Sequence, residues 1–289
     1  MADLTLAEVV AALDALYPRH TAQSWDRVGL VSGHPDQPVR RVHLAVDASL
    51  AVIEEAGAAG ADLLVAHHPL LLRGIHSVAT TTGKGAAVTA LVVNDIALYV
   101  AHTNADVAAP GVNDALAEAF GLLDTRPLAT VEGQGLGRVG RLPAPMSLRG
   151  FAGVVARALP PTAVGIRVAG PPEVTVETVA VLGGAGDDQL DAVRASGADV
   201  YVTADLRHHP VLEAREDSRG GPPYLLDAGH WASESLWLPL AATRLREQLG
   251  EPGTRLDLHV SRLCTDPWEF TVVTGSGRPA HEHPGGPPA

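Results

Sequence analysis

Of the chain's 289 residues, one is cysteine, Cys264, and one is lysine, Lys84. A single thiol excludes a disulfide framework and a thiolate cluster, so any bound metal must be held by imidazole and carboxylate. Acidic side chains number 33 against 21 basic ones, a formal net charge of −12. A chain this acidic lacks the phosphate-neutralising surface that nucleic acids require, so no nucleic-acid partner is expected. No stretch approaches the roughly 20 uninterrupted apolar residues of a membrane helix, so no membrane partner is expected either. Met1-Ala2-Asp3-Leu4-Thr5 offers no basic region followed by an apolar run; without a signal peptide, a cytoplasmic location is the default. What is present is an ordinary apolar fraction, 46%, and 13 histidines. The length accommodates one large or two ordinary domains.

Periodicity alternates between helix and strand. Apolar residues at Leu6, Val9, Val10, Leu13 and Leu16 mark one helical face, and Thr5 with Glu8 makes a capping box. Strands are predicted at 41–46, 62–66 and 96–101, and helices at 50–60, 84–94 and 112–120. The second half repeats the pattern, with strands at 179–182, 199–203 and 224–227 and helices at 187–196 and 233–249. Strands at 256–260 and 270–273 close the folded part, and a helix is predicted at 151–159. The expected class is α/β, built of duplicated α/β units with a metal site in a cavity between the two halves. Residues 1–125 form the first half, 126–178 link or elaborate, 179–274 form the second half, and 275–289 make a disordered tail.

The duplication is read from Gly60-Ala61-Asp62 followed by His67-His68-Pro69, and Gly197-Ala198-Asp199 followed, after a short insertion, by His208-His209-Pro210. Three segments place polar residues just past a buried strand, at the edge where loops of a parallel α/β sheet converge. They are His67-His68, His102-Thr103-Asn104-Ala105-Asp106, and Asp227-Ala228-Gly229-His230 with Glu234. His230 and Glu234 are four residues apart and share a helical face. Lone histidines are more often packing or surface residues; three strand ends together point to a metal-binding cavity, suited to zinc, iron, manganese or cobalt.

These blocks resemble the signatures of the Nif-three-like dinuclear metal-centre family, whose members are named GTP cyclohydrolase 1 type 2 homologues. So do Ser24-Trp25-Asp26-Arg27-Val28-Gly29-Leu30 and Gly197 to Thr203 followed by His208-His209. The resemblance runs in order from about Leu6 to Val273. It implies two divalent metal ions per chain, with His68 and Asp106 on one, His67 and His230 on the other, and Glu234 bridging. It also implies a homo-oligomer, a toroidal hexamer. The chain is too short between its halves for the inserted domain of some members. It departs from the pattern at Ala204, where glycine is usual, and at Arg27.

Other candidates have plainer readings. Gly183-Gly184-Ala185-Gly186 could cradle a phosphate, but a tight turn explains it better. Asp26 and Trp25 are read as structural, Asp47 as the cap of the helix that follows it, and Ser233 as a cap before Glu234. His208 and His209 are read as lying at the cavity rim. Two metals imply hydrolysis of a nucleotide or related small molecule, with His102 or His209 as proton acceptor and Arg73 and Arg207 as the only phosphate-binding cations. A metal-carrying or assembly protein without turnover fits the same ligands.

Overall fold

The structure, a computed structural model, describes residues 3–272. Helix α1 (Leu6–Leu16) begins where the capping box predicts: the Glu8 N–H donates to Thr5 Oγ1, and the Thr5 N–H donates back to Glu8. Beside it β1 (Leu4–Thr5) and β3 (Pro38–Val39) make a short antiparallel ribbon.

Two large sheets follow. The first contains β2 (Gly29–Ser32), β4 (Arg41–Ala45), β5 (Leu63–Ala66), β6 (Ala97–Val100) and β15 (Asp257–Val260), in the order β15-β4-β5-β6-β2. All but β2 run parallel. The second contains β7 (Leu123–Arg126), β10 (Arg138–Ser147), β11 (Arg167–Ala169), β12 (Thr175–Ala185), β13 (Val200–Ala204) and β14 (Tyr224–Asp227), in the order β11-β14-β13-β12-β10-β7. Here β12, β13 and β14 are parallel and the flanking strands antiparallel. A hairpin of β8 (Ala129–Val131) and β9 (Gln134–Leu136) stands apart. Every residue of β5, β6 and β14 is buried, which is why β5 and β6 read as unbroken apolar runs and β14 as one up to Asp227.

Helices α2 (Leu50–Ala58) and α3 (Gly83–Val93) cover one face of the first sheet; α7 (Leu190–Ser196) and α8 (His208–Asp217) cover one face of the second. The other faces share a single buried cluster. It joins Val42, Leu44 and Leu63 to Val179, Val181 and Val200 through α1, α5 (Val112–Ala119), α6 (Leu148–Ala158) and α10 (Trp237–Leu249). Each fully buried Val or Leu contributes roughly 1.5–3 kcal/mol relative to exposure, so this common core holds the two sheets together.

The repeat has a physical content. The Asp62 carboxylate accepts the N–H groups of Arg40 and Arg41 at the start of β4, and Asp199 accepts those of Glu177 and Thr178 in β12. The backbones of both aspartates bridge three strands in the same way. The Gly-Ala-Asp blocks are thus one strand-start device used twice.

Some elements differ from the pattern read in the sequence. The 233–249 helix is two helices, α9 (His230–Ser235) and α10, on either side of Leu236. The short α4 (Thr103–Val107) and α8 were not anticipated. Residues 270–272 form no strand, and Val273 with the 275–289 tail lies outside the described residues. Residues 126–178 supply β10 and β11 to the second sheet. Pro143 and Pro145 are tolerated in β10 because its pairing with β12 is interrupted between Arg141 and Met146. Among the described residues, no helix is long and apolar enough to cross a membrane.

Candidate metal centre

The C-terminal ends of parallel strands from the two sheets meet. From the first sheet, β4 leads to Asp47, β5 to His67 and His68, and β6 through His102 into α4, which carries Asp106. From the second, β12 leads to Gly183 and Gly184, β13 to Asp205, and β14 through Gly229 into α9, which carries His230 and Glu234. The turn into α9 uses φ +79° at Gly229, a left-handed conformation open to glycine.

Glu234 sits at the centre, buried. Its Oε1 is 3.1 Å from His230 Nε2 and 3.5 Å from His67 Nε2, and its Oε2 is 3.0 Å from His68 Nε2. His68 Nε2 and His230 Nε2 lie 3.2 Å apart. Asp106 Oδ1 is 3.7 Å from His67 Nε2. The five residues singled out as metal ligands therefore converge. Their partnership is exchanged relative to the resemblance: His67 stands with Asp106 and His68 with His230, while Glu234 touches both groups. Adjacent residues leaving a strand turn to opposite sides, so His67 is directed into the interior and His68 towards the open pocket.

Each ring is fixed from behind. His67 Nδ1 donates to the Ala101 carbonyl at 2.8 Å, His68 Nδ1 to Asp47 at 2.8 Å, and His230 Nδ1 to Asp205 at 2.7 Å. Placing the proton on Nδ1 leaves the Nε2 lone pair facing the centre, as metal ligation requires. Three buried atoms at the centre, His67 Nε2, Asp106 Oδ1 and Glu234 Oε2, have no hydrogen-bond partner. Buried polar atoms are nearly always satisfied. Three converging electron-pair donors with none suit a cation, and the His67-His68-His102 and His68-His230-Glu234 groups could each hold a metal ion.

The charges are strongly coupled. Burial opposes charge on His68, but Glu234 and Asp47 push it up to about 10. Burial likewise opposes charge on His230, but Asp205 and Glu234 push it up to about 11. Burial would raise Glu234, yet the neighbouring His68 and His67 rings hold it well below the ordinary carboxylate range. Asp106 is pushed up to about 7 by burial.

His102 joins this centre. Its ring lies 5.1 Å from that of His67 and 5.4 Å from that of His68, and its Nδ1 meets Asp26 at 3.0 Å. The other Asp26 oxygen accepts from the Thr103 N–H and hydroxyl. Asp26 thus fixes the loop, as expected, and also orients His102. Arg27 is turned away, donating to the carbonyls of Trp25 and Asp26. Asp47 is not the helix cap; Ser49 caps α2. Ser233 is not a cap either: inside α9 it accepts from the Gly184 N–H and donates to the His230 carbonyl. Gly183 and Gly184 belong to β12 and not to a tight turn, and the Gly183 N–H is spent on Asn113, so they offer no such cradle to a phosphate. Instead they press on the centre, where a Cβ at Gly184 would stand 2.3 Å from Glu234 Oε1.

His209 is not brought to the site. It lies exposed on the first turn of α8, its ring against that of His208. The gap-free register of the Gly-Ala-Asp blocks instead puts Asp205 at the place of His68. That register was the signal for Asp205, which the His-His-Pro echo concealed. A pocket of about 540 Å³ opens beside His68 and His230, walled also by Asp47, Asp205, Arg167 and Trp268. Arg73 and Arg207 do not line it; Arg207 is paired with Asp187. Arg167 is paired with Asp227.

The family model described as Duf34/NIF3 (NGG1p interacting factor 3) matches residues 4–267. A GTP cyclohydrolase 1 type 2 homolog of Streptomyces coelicolor is 54% identical over 274 residues, covering 93% of this chain and 95% of that protein. A protein of the same name from Mycobacterium tuberculosis is 37% identical over 379 residues, covering 93% and 98%. A Bacillus cereus protein related to NIF3 superposes with a TM-score of 0.85 at 26% identity, covering 94% of this chain and 100% of that one.

Proposed function

The chain belongs to the Duf34/NIF3 family, and from that premise we propose that it is a dinuclear metal-dependent hydrolase of a nucleotide or related small molecule. The observation that carries this reading is the convergence of three unpartnered buried ligand atoms, on His67, Asp106 and Glu234, beside a pocket of small-molecule size. His67 and Asp106 hold one divalent ion, His68 and His230 the other, and Glu234 reaches both. Two such ions supply Lewis acidity and lower the pKa of water for a hydrolytic displacement. Asp47 and Asp205 hold the rings of His68 and His230 in register. His102, its tautomer set by Asp26, is the proton acceptor, because Glu234 is placed between both ligand groups. The ions are zinc, iron, manganese or cobalt, and the chain assembles as a toroidal homohexamer, which its mass in solution tests.

One observation favours a second reading, a metal-carrying or assembly protein without turnover. The pocket wall is rich in carboxylates, and Arg167, its one arginine among the described residues, is paired with Asp227. Metal analysis of protein purified without added metal and assay of E234Q on phosphoesters and nucleotides separate the readings. A hydrolase carries two ions at this centre and loses its turnover in E234Q; a carrier has none to lose and only retains metal less well. Metal-free protein, with H67A indistinguishable from the parent, sinks both.

A further inference from the structure

Among the described residues, one more group of side chains outside the central pocket gathers ligand atoms of metal-binding type. His43 on β4, Glu55 on α2 and His259 on β15 each contribute one, all within 4.8 Å of one another. His43 and His259 are register partners across the parallel β4–β15 pair, so both side chains stand on the same face of the sheet, under α2. Their rings stack at 4.8 Å, and His43 Nε2 lies 3.0 Å from Glu55 Oε2. His43 is completely buried, and its Nδ1 has no partner. His259 is exposed, which leaves one side of the group open to solvent.

From this arrangement we infer that His43, Glu55 and His259 form a further cation site, for zinc or a neighbouring transition-metal ion, at the edge of the first sheet. Two imidazoles and one carboxylate are the donor set that such ions take, with remaining positions open to water.

The position gives the ion a task. Ser261 directly follows β15 and donates to Glu55 at 2.5 Å. A few residues on, Thr265 donates to Asp47, the carboxylate that orients His68, and Asp266, Pro267 and Trp268 line the central pocket. An ion at His43, Glu55 and His259 pins β15 to α2 and so anchors the segment 261–268 that walls the pocket.

The test is zinc binding by equilibrium dialysis to chelator-treated full-length protein, its H259A and H230A variants and the double variant. His259 is exposed, so its replacement spares the core. H259A should bind one zinc fewer per chain than the parent, H230A should keep that ion, and the double variant should lose it. Zinc should slow amide exchange over 257–268 in H230A and leave it unchanged in the double variant. Equal zinc content in parent and H259A, or slowing that survives in the double variant, overturns the outlying site. The central centre is judged separately, by whether H230A binds less than the parent.

Discussion

At the scale of single residues, the centre is a balance between burial and paired charge. Before an ion is bound, burial opposes charge on His68 and His230, but the surrounding carboxylates push them up to about 10 and about 11, which favours their protonated forms at neutral pH. An ion needs their lone pairs and must displace those protons. Zinc uptake at pH 7 should therefore release protons, and affinity should rise about tenfold per pH unit for each proton displaced. Calorimetry in two buffers of different ionisation heat reads this directly; identical heats and a flat affinity from pH 6 to 8 would contradict it. The stability of the chelated protein follows the opposite sign. Both rings have folded pKa values above the ordinary histidine value of about 6.5. Their contribution is therefore complete below pH about 6.5 and lost as pH rises through 10 and 11. Gly184 is sensitive for another reason. At φ +71°, with a new Cβ 2.3 Å from Glu234 Oε1, G184A must displace the carboxylate and strain its own backbone. It should lower zinc affinity in the H259A background and cost about 1–3 kcal/mol of stability; full-affinity zinc binding would show that Gly184 does not set Glu234.

At the scale of elements, the strand-start aspartates are the most local test of the duplication. D62A and D199A each leave two strand N–H groups without their acceptor, at about 1–3 kcal/mol for a buried group. One of the Asp62 bonds is exposed, where water replaces it, whereas both Asp199 bonds are partly buried. D199A should therefore lower the urea midpoint more than D62A; the reverse order would mean the two devices do not share a role. Helices and strands of the two βαβ units were legible because β5, β6 and β14 are wholly buried and α1 is capped by its own side chains. β10 and β11 were not, since glycines and prolines mask their alternation and their pairing is set by β12 and β14. Likewise nothing local in Leu256 to Val260 announces a partner as distant in sequence as β4. The convergence of His67, His68, His102, Asp106, His230 and Glu234 was legible because strand ends meet at one edge. His209 misled because a repeated tripeptide outweighed register: the helix α8 begins at His208 and carries the pair outwards.

At the scale of the whole molecule, the proposed ligands come from both sheets: His67, His68 and Asp106 from the first, His230 and Glu234 from the second. The common core already joins the sheets, so a metal there would add a bond across a boundary that exists without it. An ion that needs both edges binds the folded chain and not the unfolded one, and stabilises it by mass action. At a hundredfold excess over the dissociation constant this amounts to about 2.7 kcal/mol for one site. For a chain of this size each kcal/mol shifts the midpoint by roughly 2–4 °C, so zinc should raise Tm by about 5–10 °C. Measured in H259A, where the outlying ligand is gone, that shift reports the central site alone. Adding H67A should remove the ligand buried in the first half, and adding H230A the one from the second. If the centre is shared, either change abolishes most of the shift. If zinc still raises Tm by the full amount in either variant, neither His67 nor His230 is needed by a joint centre, and the shared reading fails.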